Sequence, residues 1–367
     1  MRCVHLEGSP AAMGEAFGEG FRVEIHELAR LRMANALTQA RVYGRREADE
    51  GDLLKLATVC LDAAAAYHPE GHAELLGIAR GALLRPEEIM ALGGLTDLRD
   101  ALAWGGPLEA FGGCTGFLVP AAKMQSGGLR FGQTWDLGTD NQPFVVAVHR
   151  QPDVGPATWC VTTVGCLSLM GINEHGLAVG TTNLRTLDAR AGVPYLNLIH
   201  RALTSADVGE AIQAIESAHR AGAHSYFLAD ARGHAAVVEC TATRSEVRCL
   251  GATSQVQTNH CQAAEHAALE GDTPRASSEA RLARMRGLLA GAEPLDDAHL
   301  RGFLGDREGG ALAINRDDVD GISTNAAMLA APAEGRLEIC QGAPDQGGWL
   351  PFGPAARLDQ PPPMGPA

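Results

Sequence analysis

Lysine is nearly missing from this chain: Lys55 and Lys123 are the only two among 30 basic residues, and the rest are arginine. That scarcity reads as genome composition rather than chemistry. A basic excess is missing too. With 44 acidic residues the formal net charge is −14 and the pI is near 5.4, which argues against nucleic acid or an anionic membrane as partner. No apolar run approaches a membrane span, and the opening MRCVHLEGSP has no signal-peptide core. There is no C-x-x-C pair. The nine cysteines (3, 60, 114, 160, 166, 240, 249, 261, 340) are odd in number and scattered, which suits a reducing cytoplasm better than a disulfide framework or a zinc knuckle. No internal repeat is evident. The tail DQPPPMGPA carries no receptor-read targeting tripeptide, and its proline content predicts disorder over 359–367.

What is present is ordinary globular material, 46% hydrophobic and 20% charged over 367 residues, enough for one large domain or two. Up to about residue 110 the apolar period is helical. A short strand over Cys3–Leu6 leads to Ser9-Pro10, an N-cap followed by a first-turn proline. A long helix is predicted from there toward Tyr43, then helices over 50–67 and 73–82 and one beginning at Pro86. From Cys114 the period shifts toward two. Strands are predicted over 114–119, 129–135, 144–149, 158–164, 168–172 and 177–181. Helices over 194–202 and 208–218 are followed by strands over 224–229, 235–240, 246–250 and 256–258. A helix over 277–289 precedes strands near 312–314, 323–330 and 336–340. Strands and helices do not alternate strictly, which excludes a doubly wound sheet and indicates α+β, two packed sheets with helices outside. GINEHGL reads as a hairpin with Gly176 at its turn. The glycines of GEAFGEGF read as close helix packing, because no Gly-Lys-Ser/Thr follows to make a phosphate loop.

The change of regime falls at FGGCTGFLVP, Phe111 to Pro120. A thiol is a nucleophile only as thiolate, with a free pKa near 8.5, so Cys114 needs a proton acceptor. No histidine lies near it in sequence. A cut between Gly113 and Cys114 would supply one, the α-amino group of Cys114 itself, whose ordinary pKa of about 7.7–8.0 suits a general base. Gly113 has no side chain to shield its carbonyl and tolerates strained backbone, which suits attack by the adjacent thiol. The plain alternative is a small apolar cysteine in a core strand.

FGGCTGFLVP followed by GGLRFGQTWDL resembles the acyl-coenzyme A:6-aminopenicillanic acid acyltransferase (isopenicillin N acyltransferase) family of self-cleaving N-terminal-nucleophile hydrolases. GSPAAMGEAFGEGF, AELLGIARGALLRPEEIMAL, GINEHGLAVGTTNL, AHSYFLAD and VQTNHC extend the resemblance, in order, over nearly the whole chain. It implies a four-layer αββα sandwich with a mostly helical N-terminal segment. It divides the chain into 1–113, the catalytic segment 114–358 and the tail. Residue by residue, it implies Cys114 as the nucleophile freed after Gly113, and Asp136 as the acid that holds the new terminus or its neighbours. Asn259 becomes the oxyanion donor, Arg316 a site arginine paired with Asp136 or another carboxylate, and Ser225 a site-associated serine. Singly, each fits a turn cap or a solvated ion pair. Together, ordered around Gly-Cys, they form a set.

Three positions depart from the family's pattern. Gly116 stands where a second threonine is frequent, Thr134 where asparagine is usual before Trp-Asp, and Ala313 where the penicillin-making enzymes carry serine. Cleavage chemistry survives these changes, but penicillin biosynthesis is not expected. The expected activity is hydrolysis or transfer of an acyl group at a small-molecule amide or thioester, with the cleaved N-terminal fragment as partner. No cofactor is expected, and a coenzyme A thioester stays open as co-substrate. No metal is expected either, since Pro69-Glu70-Gly71 breaks the helix that would bring His68 and His72 to one face. Two alternatives remain: an uncut Cys–His hydrolase with His224 or His260 as base, and a non-catalytic binding protein on the same scaffold.

Overall fold

Ser9 accepts a hydrogen bond from Ala12 N at 3.3 Å with Pro10 at the first helical turn, so the N-terminal punctuation works as predicted. The computed structural model describes residues 1–44, 47–103, 113–291, 294–318 and 321–356; the predicted tail 359–367, Phe111 and Gly112 lie outside them. Strand β1 (Arg2–Gly8) precedes α1 (Pro10–Gly20) and α2 (Arg22–Gly44). The long helix predicted toward Tyr43 is therefore two, divided where Phe21 leaves helical backbone at φ −125°. A capping box between Asp49 and Asp52 starts α3 (Glu50–Tyr67). The next helix, α4 (Pro69–Ala82), begins earlier than predicted, because Pro69 takes the first helical position rather than blocking it. Last in this half comes α5 (Pro86–Ala103), kinked at Leu95 (φ 31°, ψ −99°).

Beyond Gly113 the chain forms β2 (Thr115–Val119), β3 (Arg130–Gly138), β4 (Val145–Pro152), β5 (Thr158–Thr163), β6 (Met170–Asn173) and β7 (Ala178–Asn183). Helices α6 (Tyr195–Ala202) and α7 (Val208–Glu216) intervene before β8 (His224–Ala229), β9 (Ala235–Cys240), β10 (Ser245–Cys249) and β11 (Gln255–Gln257). Then come α8 (Ala264–Ala267), α9 (Ala276–Gly291), α10 (Asp297–Leu304), β12 (Ile322–Ala331), β13 (Arg336–Gln341) and β14 (Leu350–Phe352). The strand predicted near Leu312–Ile314 is instead a 3-10 turn over Gly310–Leu312. Gly309 and Gly310 both take positive φ there and interrupt the extended run.

The strands make an eight-stranded sheet, β1-β4-β5-β6-β7-β8-β9-β10, and a six-stranded sheet, β11-β2-β3-β12-β13-β14. Their faces pack on one another, with Phe131 of β3 stacked on Phe227 of β8 at 5.3 Å between ring centroids. Burying each such side chain contributes about 1.5–3 kcal/mol. α1, α6 and α7 lie against the larger sheet and α9 and α10 against the smaller, which completes the expected αββα order. The glycines of the first helix do serve close packing. A Cβ on Gly14 would collide with the Glu74 carbonyl, and one on Gly81 with the Glu15 carbonyl, so α1 and α4 meet backbone to backbone. β1 runs parallel to β4, from Arg2↔Val146 to Gly8↔Pro152. The segment before Cys114 is thus woven into the larger sheet. Among the described residues no helix is long and apolar enough to cross a membrane.

Candidate active site

Cys114 lies just before β2, whose neighbour β3 carries Asp136 past the Thr115↔Thr134 pair. Its thiol is 4% exposed. The Asp136 backbone N–H donates to Cys114 Sγ at 3.4 Å, and the thiol donates to the Asp136 carbonyl at 3.7 Å. Burial pushes the thiol up to about 12, and the Asp136 carboxylate adds to the rise. The backbone of Asp136, the Arg281 guanidinium and the backbone of Asn183 act the other way. In this state the sulfur is a thiol at neutral pH, and only a base that reaches it, directly or through one water, can change that.

The carboxyl of Asp136 is buried, and neither oxygen has a hydrogen-bond partner among the described residues. Burial pushes it up to about 6. Arg281 and Arg316 oppose the rise by charge, and the nearby Thr324 and Thr134 hydroxyls oppose it without closing a hydrogen bond. Gly113 fills the gap between Asp136 and Arg316. A Cβ added there would lie 2.7 Å from Asp136 Oδ2 and 2.7 Å from Arg316 Nη1. Arg316 forms no ion pair within 4 Å among the described residues; it acts on Asp136 by charge across Gly113.

Sequence reasoning missed Arg281. This buried guanidinium donates to the Cys114 carbonyl at 2.6 Å, to Thr115 Oγ1 at 3.1 Å and to Asn259 Oδ1 at 2.9 Å. A signal was available: Ser278, Leu282, Met285 and Leu289 make the buried stripe of α9, and Arg281 falls inside it. Asn259 is held at both ends, because its Nδ2 donates to the Asn183 carbonyl at 2.8 Å. An amide nitrogen has two N–H groups, so one stays free to donate elsewhere.

Ser225 is fully buried on β8, and its hydroxyl has no partner among the described residues. No hydrogen bond joins it to Cys114. Neither candidate histidine reaches the thiol. His224 Nε2 is bonded to Asp97 Oδ1 at 2.7 Å and its ring is stacked on Tyr195, while His260 Nδ1 is bonded to Ser278 Oγ at 2.7 Å. His68 caps the junction of α3 and α4 instead of pairing with His72. The departure at Gly116 has a steric cause: a Cβ there would lie 2.5 Å from Phe227 Cζ, so the ring occupies the space a threonine would need.

Residues 124–346 match the family model described as acyl-coenzyme A:6-aminopenicillanic acid acyl-transferase. The chain is 24% identical over 329 residues to the acyl-coenzyme A:6-aminopenicillanic-acid-acyltransferase 40 kDa form of Emericella nidulans, covering 89% of this chain and 87% of that one. Among solved structures it is similar to penicillin V acylase from Agrobacterium tumefaciens, at 17% identity, 62% of this chain, 83% of that chain and a TM-score of 0.44. A single-residue variant of conjugated bile acid hydrolase from Clostridium perfringens is similar at 14% identity, with 62% and 89% covered and a TM-score of 0.46.

Proposed function

This chain belongs to the acyl-coenzyme A:6-aminopenicillanic acid acyl-transferase family, and from that premise we propose that it cuts itself between Gly113 and Cys114 and then works through a Cys114 acyl-enzyme. One observation carries the reading. No imidazole touches Cys114 Sγ, while the preceding Gly113 is seated between Asp136 and Arg316. Asp136, whose carboxylate is not bonded to Sγ, takes the thiol proton through one water, and Sγ attacks the Gly113 carbonyl carbon. The C–N bond breaks, Asp136 returns the proton to the departing nitrogen, and Gly113 is left as a thioester on sulfur. Water hydrolyses that thioester, giving a Gly113 carboxylate and a free thiol. Proton transfer from so weak an acid is uphill, which a step taken once per molecule tolerates.

Thereafter the new α-amino group, with an ordinary pKa of about 7.7–8.0, serves as the acceptor. The free N–H of Asn259 Nδ2 and the backbone N–H of Asn183 are the donors for a developing oxyanion. The acyl group comes from a small-molecule amide or an acyl thioester, a coenzyme A thioester included, and passes to water or to an amine. The N-terminal fragment stays bound through β1. All nine cysteines are unpaired, which supports a reducing compartment as the place of action.

Intact mass on freshly made protein tests the cut. Two polypeptides, one ending at Gly113 and one beginning at Cys114, are expected; a single uncut chain that turns over amides overturns the reading. Because the ionised carboxylate is the acceptor and Asp136 sits near 6, cleavage of refolded precursor will speed up as pH rises toward about 6 and level off above it. Asp136→Asn will abolish that profile. Gly113→Ala will lengthen the precursor's half-life by about 10–100-fold, since overpacking of this kind costs roughly 1–3 kcal/mol. A Gly113→Ala precursor that matures at the wild-type rate would show the contact with Asp136 and Arg316 to be irrelevant.

A further inference from the structure

A cavity of about 430 Å³ opens behind the larger sheet, walled by α1, the ends of α3 and α6, α4, and strands β4 and β5. None of the residues placed around Cys114 lines it. Arg150, 2% exposed, donates from Nε to Glu74 Oε1 at 2.8 Å and from Nη1 to Cys160 Sγ at 2.9 Å, and its Nη2 has no partner. A second buried polar atom of the same wall, Thr158 Oγ1 on the strand paired with that of Arg150, is also unpartnered. Buried polar atoms are nearly always satisfied, so two of them on paired strands of one cavity wall point to something polar that fills it.

Inside the cavity the positive charges outnumber the negative. Burial pushes His68 and His200 each down to about 3, with Arg150 adding to the shift at His200, so both imidazoles are neutral near pH 7. That sets Arg150 and Arg201 against Glu74 alone, while Glu70 stands at the mouth with its side chain 71% exposed. Arg201 lies over the Tyr67 ring at 4.3 Å. Opposite these groups, Pro10, Met13, Pro152 and Pro156 make an apolar wall.

We propose that this cavity is a second ligand site, for a small organic anion carrying one carboxylate on an apolar body. Arg150 Nη2 and the Thr158 hydroxyl take the carboxylate, and Met13 and the prolines take the body. The volume lies within the range of ordinary small-molecule sites. The proposal does not depend on self-cleavage.

Titrating the full-length protein with 2-naphthylacetate, followed by calorimetry and probe fluorescence, tests it. Saturable one-site binding is expected. Arg150→Gln and Thr204→Trp, the latter filling the mouth from an exposed position, should each weaken it by about tenfold or more, the worth of a charge-assisted hydrogen bond. The uncharged analogue 2-(2-naphthyl)ethanol should bind weaker by a similar factor, and Cys114→Ala should bind the acid as the wild type does. Should Arg150→Gln fail to fold, Thr204→Trp decides alone. Absence of saturable binding, equal affinity for the alcohol, or undiminished binding by Thr204→Trp overturns the proposal.

Discussion

Cys114→Ala will remain one 367-residue chain of 38.5 kDa under conditions where the wild type becomes two, and its turnover will fall by at least about 10⁴-fold. Both losses share a cause in the proposed reaction, where the sulfur that opens the Gly113–Cys114 bond is the one that later carries the acyl group. No other nucleophile in contact substitutes for it. The Asp136 carboxylate lies beside Gly113, where the proposed reaction uses it as proton acceptor, and Ser225 makes no hydrogen bond to Cys114. The fold itself should change little. The Asp136 backbone N–H loses a sulfur acceptor, a cost of about 1 kcal/mol, while the alanine methyl keeps most of the packing. Mass spectrometry and a urea melt therefore separate chemistry from stability. A Cys114→Ala chain that still splits after Gly113 would move the cutting agent elsewhere.

Arg281→Met will lower stability by about 3–5 kcal/mol, the usual consequence of removing one member of a buried charged cluster. The arginine is 1% exposed. Its loss leaves the Cys114 carbonyl and Asn259 Oδ1 without their donor, and takes from Asp136 the larger of the two arginine fields that oppose its protonation. Burial draws Arg281 down to about 10 and Asp136 opposes the fall, so it stays charged at neutral pH. In the proposed reaction its part is positioning, through its hydrogen bond to Asn259. Arg281→Lys should restore part of the stability but leave kcat depressed by about 10²–10³-fold, because a point ammonium cannot span the Cys114 carbonyl and Asn259 together. Equal recovery of stability and kcat by lysine would reduce Arg281 to a structural charge. A change in urea midpoint corresponding to less than about 1 kcal/mol, within the usual range of a surface substitution, would remove it from the cluster altogether.

Much was legible in the chain because it depends on neighbours in sequence. Ser9-Pro10 is an N-cap wherever it stands, β8 and β9 are short runs bounded by turn residues and buried along their whole length, and Gly176 takes φ +78° at its hairpin. The errors were local as well. Pro69 looked like a breaker and is a helix start, and the 312–314 run looked extended until two glycines turned it. Cys114, Asp136 and Asn259 came from ordered motifs, and the structure brings them together.

The amino-acid order by itself determined most of the helices and strands and the two-sheet class, because capping, φ preference and hydrophobic period act over a few residues; Cys114 as the proposed nucleophile came from the resemblance of ordered motifs. Only the tertiary structure decided that β1 pairs with β4, that His224 is committed to Asp97 rather than to sulfur, and that the Arg281 guanidinium meets the Cys114 carbonyl. It also gathered Glu74, Arg150 and His200 around one cavity. Those outcomes depend on which distant charges are buried side by side, and a long side chain on a helix declares its partner only when the layers close on it.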